Sequence, residues 1–378
     1  MTESFDNLNL KDNLLRGIYS YGFENPSPIQ EKAIPFINER KDLIAQAQSG
    51  TGKTGAFSIG VLNNIDVNED SIQAVIINPT HELAIQNYNV IKELSSYMNI
   101  NIQTVIGGTS VRKCQDDLKK NPKIIIGTPG RILDMIEKRY LLTENIKILI
   151  FDEADEILSY GFKENIYNII KYIPRDTQIC IFSATMPSEI LELTDKFMNK
   201  PEKILVNKEN LTLEGILQFY INVKVNDWKF DVLTDIYETI NLSQCIIYIN
   251  SKNKLMEINT RLKDLGYPVE CIHGELSSDL RKSIMDDFKS GKLRILLSTD
   301  LLSRGIDIQQ LSLVINYDLP REKETYIHRI GRSGRYGRKG VSINFVTDKD
   351  IDHQSEIKMH YNTKIEEMPQ NINDYLSI

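Results

Sequence analysis

The chain has 378 residues, of which 41% are hydrophobic and 26% charged, proportions typical of a folded soluble protein rather than a disordered one. At roughly 150 residues per domain, this length predicts two domains, or three small ones, each large enough to bury a core. The net charge of −7 excludes a protein that holds nucleic acid by bulk positive charge. A local basic groove remains compatible with it.

Targeting and redox signals are few. No apolar run approaches the ~20 residues that span a bilayer, and the polar start of the chain does not resemble a signal peptide. The four cysteines are far apart, which disfavours a disulfide or zinc framework and fits a reducing compartment. We therefore expect no membrane partner and a cytoplasmic location, with the nucleus as an alternative.

The first half of the chain alternates short apolar runs with amphipathic stretches. Continuous runs followed by Gly, Thr, Asp or Ser are typical of parallel strands buried on both faces. The predicted strands are residues 43–47, 74–78, 104–106, 124–127, 148–151 and 179–182. The alternation of strands and helices predicts an α/β fold with a doubly wound parallel sheet.

A polar stretch at residues 207–215 interrupts this pattern. The pattern then resumes with predicted strands at residues 245–249, 269–272, 295–298, 313–316 and 342–346. We predict an N-terminal α/β domain over residues 1–206, a linker over 207–217 and a C-terminal α/β domain over 218–378.

A candidate phosphate loop, AQSGTGKT, occupies residues 47–54, between a predicted strand and a predicted helix. Glycines let backbone N–H groups close around phosphates, and a helix N-terminus favours an anion. Lys53 would reach the β and γ phosphates, and the Thr54 hydroxyl would hold Mg²⁺. Ala47 stands where the general pattern has glycine, and the alternative is a glycine-rich turn before a helix.

An acidic motif follows the predicted strand at residues 148–151. Ligands of open α/β sheets bind at the carboxyl ends of strands. Asp152 is suited to hold Mg²⁺ through water, and Glu153 to position or deprotonate an attacking water. The alternative is the acidic first turn of a solvated helix, favoured by the helix dipole.

Further motifs occur in a fixed order, and together with these two they resemble the motifs of DEAD-box RNA helicases, most closely those of the translation initiation factor 4A subfamily. The motifs are GF at 22–23, PSPIQ at 26–30, AQSGTGKT at 47–54, PTHELA at 79–84, GG at 107–108, TPGR at 128–131, DEAD at 152–155, SAT at 183–185, SRGID at 303–307 and HRIGRSGR at 328–335. The resemblance covers nearly the whole chain.

This resemblance implies two RecA-like domains, ATP and Mg²⁺ as cofactors, and RNA-stimulated ATP hydrolysis coupled to local, non-processive duplex unwinding or remodelling of RNA–protein complexes. Translation initiation is one setting. It also implies a monomer that binds RNA and a scaffold similar to initiation factor 4G. A second hypothesis is an ATP-dependent RNA clamp that anchors partner proteins with little turnover. A processive DNA translocase is disfavoured by the adenine motif of Phe23 and Gln30.

For ATP, the resemblance assigns Phe23 to the face of adenine and Gln30 to its edge, since an amide offers both a donor and an acceptor. The alternatives are a core aromatic for Phe23 and an exposed helical residue for Gln30. The remaining assignments are the phosphate loop for Ser49, Gly50, Thr51 and Gly52, the ribose for Asp307, arginine fingers for Arg332 and Arg335, and coupling of ATP to RNA for His328.

The basic segment at residues 329–340 stands out in an acidic protein. Its Arg-x-x-Arg spacing would place Arg329, Arg332 and Arg335 on one helical face, which favours a shared ligand. The alternative is a solvated basic loop.

Contacts with RNA should involve the sugar–phosphate backbone and be independent of sequence. The resemblance assigns them to Pro79, Thr80, Gly107, Gly108, Thr128, Gly130, Arg131, Gly274 and Thr299. The alternative for the glycines is that they only make tight turns. Ser183 and Thr185 would hydrogen-bond the acidic motif and link hydrolysis to domain closure, or they would act as helix caps.

Two positions depart from the family pattern. His81 stands where the family has arginine, and Ser278 where it has glutamine. Because histidine is mostly neutral at pH 7 and arginine is always charged, we expect a weaker or pH-sensitive RNA contact at His81. The shorter serine puts interdomain or RNA coupling at residue 278 in doubt.

Overall fold

The computed structural model describes residues 4–47, 50–204, 216–240, 244–300, 311, 313–331, 340–369 and 371–376. The chain divides into two compact units, Met1–Val206 and Asn207–Ile378, and each contains one sheet. No helix in these ranges is both long enough and apolar enough to cross a bilayer.

The first unit alternates strands and helices from end to end. Its strands are β1 (Leu43–Gln46), β2 (Ala74–Ile77), β3 (Ile102–Val105), β4 (Ile124–Gly127), β5 (Ile148–Asp152), β6 (Gln178–Ser183) and β7 (Glu202–Ile204). Its helices are α1 (Asp12–Tyr21), α2 (Pro28–Asn38), α3 (Lys53–Asn64), α4 (His81–Leu94), α5 (Val111–Leu118), α6 (Pro129–Glu137), α7 (Ala154–Ser159), α8 (Lys163–Tyr172) and α9 (Ser188–Phe197).

The sheet of this unit has the strand order β3-β4-β2-β5-β6-β1-β7, and the strand pairings are parallel. In the strands β2, β4, β5 and β6, alternate residues face two separate hydrophobic cores, one on each side of the sheet. In β5, for example, Ile148 and Ile150 belong to one core, and Leu149 and Phe151 to the other. Burial on both faces explains why these strands read as continuous apolar runs.

The second unit repeats this plan. Its strands are β8 (Ile216–Lys224), β9 (Cys245–Tyr248), β10 (Val269–Ile272), β11 (Ile295–Ser298), β12 (Leu313–Asn316), β13 (Gly340–Thr347) and β14 (Glu366–Glu367). Its helices are α10 (Lys229–Thr239), α11 (Lys252–Asp264), α12 (Ser278–Lys289), α13 (Lys323–Ile330), α14 (Ile351–Tyr361) and α15 (Asn373–Leu376). The strand order is β10-β11-β9-β12-β13-β8-β14.

The predicted fold class is confirmed, and each predicted strand has an observed counterpart. Three strands were not predicted: β7, β8 and β14. Both β7 and β14 are short, charged edge strands, which carry little hydrophobic signal. Strand β8 begins at Ile216, so the last two residues of the predicted linker belong to the sheet.

Candidate active site and RNA interface

The phosphate loop joins β1 to α3. Gly50 and Gly52 have φ angles of 83° and 101°, a left-handed conformation that glycine adopts at little cost. A Cβ atom at Gly52 would lie 2.7 Å from Ser27 Oγ and 2.8 Å from Gln30 Nε2. The loop therefore requires glycine where it passes α2, and α3 begins immediately after it at Lys53.

Lys53 and Glu153 form a buried ion pair. The Lys53 ammonium lies 3.2 Å from each carboxylate oxygen of Glu153, and both side chains are only 5% exposed. Glu153 itself has φ 51° and ψ 54°, a left-handed conformation that costs a non-glycine residue about 1 kcal/mol or more and is frequent at functional sites. The phosphate loop and the acidic motif therefore meet through this pair.

Asp152 ends β5 and is held by two asparagine side chains. Its Oδ2 accepts hydrogen bonds from Asn78 Nδ2 at 3.2 Å and Asn87 Nδ2 at 2.8 Å. Burial and the neighbouring Glu153 carboxylate raise the pKa of Asp152 to about 7, against the lowering effect of the Lys53 ammonium and the Asn87 hydrogen bond. Its surroundings therefore disfavour the ionised form of the carboxylate. Such perturbed carboxylates are frequent at sites that bind cations or carry out catalysis.

The acidic motif is not a solvated helix turn, because Asp152, Glu153, Asp155 and Glu156 are all buried. Asp155 Oδ2 accepts from the Thr185 hydroxyl at 2.7 Å and from the Thr185 backbone N–H at 3.3 Å. The Asp155 N–H in turn donates to Ser183 Oγ at 3.3 Å. Ser183 and Thr185 therefore hydrogen-bond the acidic motif, and Ser183 accepts from an N–H of the first turn of α7, where helical N–H groups have no partner within the helix.

Phe23 and Gln30 both lie against the start of α3. A Cβ at Gly55 would be 2.4 Å from Gln30 Nε2 and 3.2 Å from Phe23 Cε2. Gln30 is buried rather than exposed; its Oε1 accepts from Ser27 N at 2.9 Å, and its Nε2 donates to Gly52 O at 3.2 Å. Phe23 is half-buried and stacks on Phe5 with ring centroids 6.3 Å apart. The two predicted adenine residues thus adjoin the phosphate loop.

The residues of this site fit a magnesium nucleotide. Gly52 leaves open a space that a side chain would fill, and Lys53 supplies a buried cation. Thr54 lies in the first turn of α3, which packs against β5. Its hydroxyl and the Asp152 carboxylate are oxygen donors, the kind that Mg²⁺ prefers. The predicted loop residue Ser49 lies outside the described residues.

The predicted RNA residues of the first unit follow three neighbouring strands. Pro79 and Thr80 follow β2, the Gly107–Gly108 pair follows β3, and Thr128 begins the segment after β4. Because the order is β3-β4-β2-β5-β6-β1, these segments share the carboxyl edge of the sheet with the nucleotide residues but occupy its other half. Thr80 and Thr128 are the N-caps of α4 and α6, so N–H groups of both helices point toward this edge.

Two further contacts connect these segments. A Cβ at Gly107 would lie 3.0 Å from His81 Nε2, so the histidine ring packs directly on this glycine. Arg131 donates from Nη1 to the carbonyl of Thr109 at 3.0 Å and to its hydroxyl at 3.2 Å. At Gly130 and Gly274, added Cβ atoms would meet no atom of the described residues within 4 Å, so crowding by those residues does not require glycine there.

In the second unit, Gly274 follows β10 and Thr299 follows β11, two adjacent strands. His328 is buried in α13. Asp307, Arg332 and Arg335 lie outside the described residues, as does the side chain of Ser278.

The common helical face predicted for Arg329, Arg332 and Arg335 cannot belong to α13, because that helix ends before Arg332. The shared ligand stays a prediction, since Arg332 and Arg335 lie outside the described residues. Helix α13 ends at Ile330. Arg329 is fully buried, and its guanidinium group hydrogen-bonds residues of its own unit. It donates to Asp300 Oδ1 at 2.6 Å, Asn316 Oδ1 at 3.2 Å, Asp318 O at 2.7 Å and Asn250 Oδ1 at 2.6 Å. Periodicity could not show that the helix stops one residue later.

Comparison with known sequences agrees with this geometry. Residues 27–193 match the DEAD/DEAH box helicase family, and residues 228–337 match the helicase conserved C-terminal domain. The chain belongs to the DEAD-box helicases. It is 55% identical over 369 residues to the ATP-dependent RNA helicase eIF4A of Debaryomyces hansenii, covering 98% of this chain and 93% of the relative. It is 51% identical over 376 residues to eukaryotic initiation factor 4A of Caenorhabditis elegans, covering 100% and 94%.

Solved structures show the same relationship. Dbp5 of S. cerevisiae, bound to RNA and ADP BeF3, aligns with a TM-score of 0.92 at 36% identity, over 98% of this chain and 97% of that chain. A DEAD box protein of Methanococcus jannaschii aligns with a TM-score of 0.57 at 37% identity, over 97% and 99%. The predicted family and the predicted class of enzyme, an ATP-dependent RNA helicase of the initiation factor 4A type, are confirmed.

Sequence reasoning missed Asn78 and Asn87. No recognised motif includes Asn87, and Asn78 precedes the PTHELA segment without belonging to it. The available signal was the position of two amide side chains among apolar neighbours, one at the end of a strand and one on the buried face of a helix. Buried amides need polar partners, but only the sheet order identifies Asp152 as that partner.

Proposed function

We propose that this helicase hydrolyses ATP in response to RNA and uses the cycle for local, non-processive unwinding of short duplexes or remodelling of RNA–protein complexes. The observation that carries the proposal is the buried Lys53–Glu153 pair, at the same sheet edge as the segments assigned to RNA. Without nucleotide, the two side chains satisfy each other. Phosphate oxygens would compete for the Lys53 ammonium, and Glu153 would then be available to act as a base.

In this proposal, Glu153 positions the attacking water and accepts its proton, while Lys53 stabilises negative charge on the phosphates. Thr54 and Asp152 would hold Mg²⁺, largely through water. When bound, Mg²⁺ would neutralise part of the phosphate charge. Phe23 and Gln30 would recognise adenine, and Ser183 and Thr185 would relay changes at Asp155. Resemblance alone supports Asp307 for the ribose, and Arg332, Arg335 and His328 for the phosphates and coupling.

We further propose that RNA binds through its backbone, that the protein acts as a monomer in translation initiation, and that it works with a scaffold similar to initiation factor 4G. The names of its relatives, an RNA helicase and an initiation factor, support RNA binding and translation initiation. The family resemblance alone supports the backbone contacts, the monomer, the scaffold and a cytoplasmic location.

The test is steady-state ATP hydrolysis with and without single-stranded RNA, with DNA of the same sequence as control. We expect stimulation by RNA only. Glu153→Gln should lower turnover by a factor of about 10² to 10⁴, the usual contribution of a general base, and leave binding of a fluorescent ATP analogue within a few-fold. Retained turnover in this variant would contradict the role of Glu153.

The RNA clamp remains the competing function. It would be favoured by stable retention of RNA in the presence of a non-hydrolysable ATP analogue together with negligible unwinding of a short duplex. Rapid release of RNA after each turnover, with strand separation, would favour the helicase.

A further inference from the structure

Two buried asparagines connect the nucleotide half of the first sheet edge to the RNA half. Asn78 and Asn87 are both fully buried, and both donate to the same oxygen of Asp152, Oδ2. Their own Oδ1 atoms have no hydrogen-bond partner among the described residues. An ionised carboxylate only accepts hydrogen bonds, so both asparagines turn their NH₂ groups toward Oδ2.

Each asparagine belongs to a segment that carries predicted RNA contacts. Asn78 lies directly before Pro79 and Thr80, and its backbone N–H donates to Gly127 O at 2.8 Å, beside Thr128. Asn87 is in α4, whose N-cap is Thr80 and whose first residue, His81, packs on Gly107. The Asp152 carboxylate is therefore tied by hydrogen bonds to the segments after β2 and β4, and by one rigid helix to the segment after β3.

We propose that Asn78 and Asn87 are positioning residues that couple RNA binding at residues 79–81 to the orientation of the Asp152 carboxylate. A small shift of the segment after β2 together with α4 on RNA binding would move both amides and rotate the carboxylate that they hold. Neither asparagine needs to touch RNA or nucleotide. This inference rests on the proposed function, since it takes RNA at the first segment and Mg²⁺–nucleotide at the second.

The measurable quantity is the coupling factor, the ratio of RNA dissociation constants without nucleotide and with saturating Mg²⁺ and a non-hydrolysable ATP analogue. By thermodynamic reciprocity, RNA must raise the affinity for the Mg²⁺–nucleotide by the same factor. RNA binding is read from fluorescence anisotropy of a labelled oligouridylate, and nucleotide binding from a fluorescent analogue, with EDTA as the Mg²⁺-free reference.

Asn78→Ala and Asn87→Leu each remove one donor to Asp152. We expect each to lower the coupling factor by about fivefold, a typical size for a disrupted coupling, in both directions of the cycle. The RNA affinity without nucleotide should stay within twofold of the wild type. Asn64→Leu is the matched control, because Asn64 Nδ2 donates to Ile37 O and Gly60 O in the same unit without contact to Asp152. Its coupling factor should equal that of the wild type.

A coupling factor within twofold of the wild type in both asparagine variants would overturn the proposal. Equal losses of RNA and nucleotide affinity, with melting temperatures below that of Asn64→Leu, would assign the pair a purely structural role and would also overturn it. If the wild type binds RNA equally with and without nucleotide, the proposed function itself fails. That outcome is distinguishable, because the wild type alone reveals it.

Discussion

Replacement of Lys53 by methionine should destabilise the nucleotide-free protein strongly. Methionine keeps most of the side-chain volume but removes the ammonium that lies 3.2 Å from both oxygens of Glu153. The carboxylate would then be buried without its cation, and removing one partner of a buried ion pair typically costs 3 to 5 kcal/mol, by order of magnitude.

The expected loss can be read as a change in melting temperature. In a domain of this size each kcal/mol shifts the melting temperature by about 2 to 4 °C, so that of the first unit should fall by about 6 to 20 °C.

The assay is thermal unfolding of the wild type, Lys53→Met, Glu153→Gln and the double variant without nucleotide. The double variant buries no unpaired charge at this position, so it should recover at least about 2 kcal/mol relative to Lys53→Met. The matched control is Lys138→Met, because Lys138 pairs with Asp134 at 2.6 Å with side chains 47% and 36% exposed. Exposed pairs contribute about 1 kcal/mol or less.

Two results would refute this reasoning. One is a melting temperature of Lys53→Met no lower than that of Lys138→Met, which would mean that the nucleotide-free site does not depend on the buried pair. The other is a double variant as unstable as Lys53→Met, which would assign the loss to packing instead of charge.

Three other variants test separate features. Burial and the Glu153 carboxylate raise the pKa of Asp152 to about 7, so ionisation of Asp152 destabilises the fold as pH rises. The stability that Asp152→Asn gains over the wild type should therefore be larger at pH 8 than at pH 6 by about 1 kcal/mol. Equal gains in melting temperature at both pH values would contradict this. A free histidine titrates near pH 6.5, whereas arginine stays charged. The RNA affinity of the wild type, measured by anisotropy titration, should therefore fall several-fold from pH 6 to pH 8, and that of His81→Arg should not. Identical pH profiles of the two proteins would count against an RNA contact at His81. Arg329→Lys should lower the free energy of unfolding of the second unit by roughly 3 kcal/mol. Lysine cannot replace the four guanidinium hydrogen bonds, which include the one to Asp300. An unchanged melting transition of this unit would show that these bonds add no net stability.

Local patterns in the sequence were sufficient to predict the fold class, the phosphate loop and the strand ends that carry the candidate catalytic side chains. Parallel strands covered on both faces need continuous apolar runs, and this requirement is visible residue by residue in runs such as Ile124–Gly127 and Ile295–Ser298. Loops that close on phosphate need glycine, as at Gly52, and reactive side chains follow strand ends. The edge strand β7 escaped detection, because a short charged segment, EKI, owes its conformation to the neighbouring strand and not to its own pattern.

Only the tertiary structure determines which side chains pair with each other. Lys53 and Glu153 are 100 residues apart in sequence, and their pairing follows from the positions of β1 and β5 on either side of β6. The adjacency of β2 and β5 likewise brings Asn78 to Asp152, and the packing of the second unit brings Asp300, Asn316 and Asn250 to the buried Arg329. Charge and hydrogen-bonding capacity are properties of each residue, but the free energy of a buried charge depends on which groups replace its water. Only the packing of the sheet decides which groups those are.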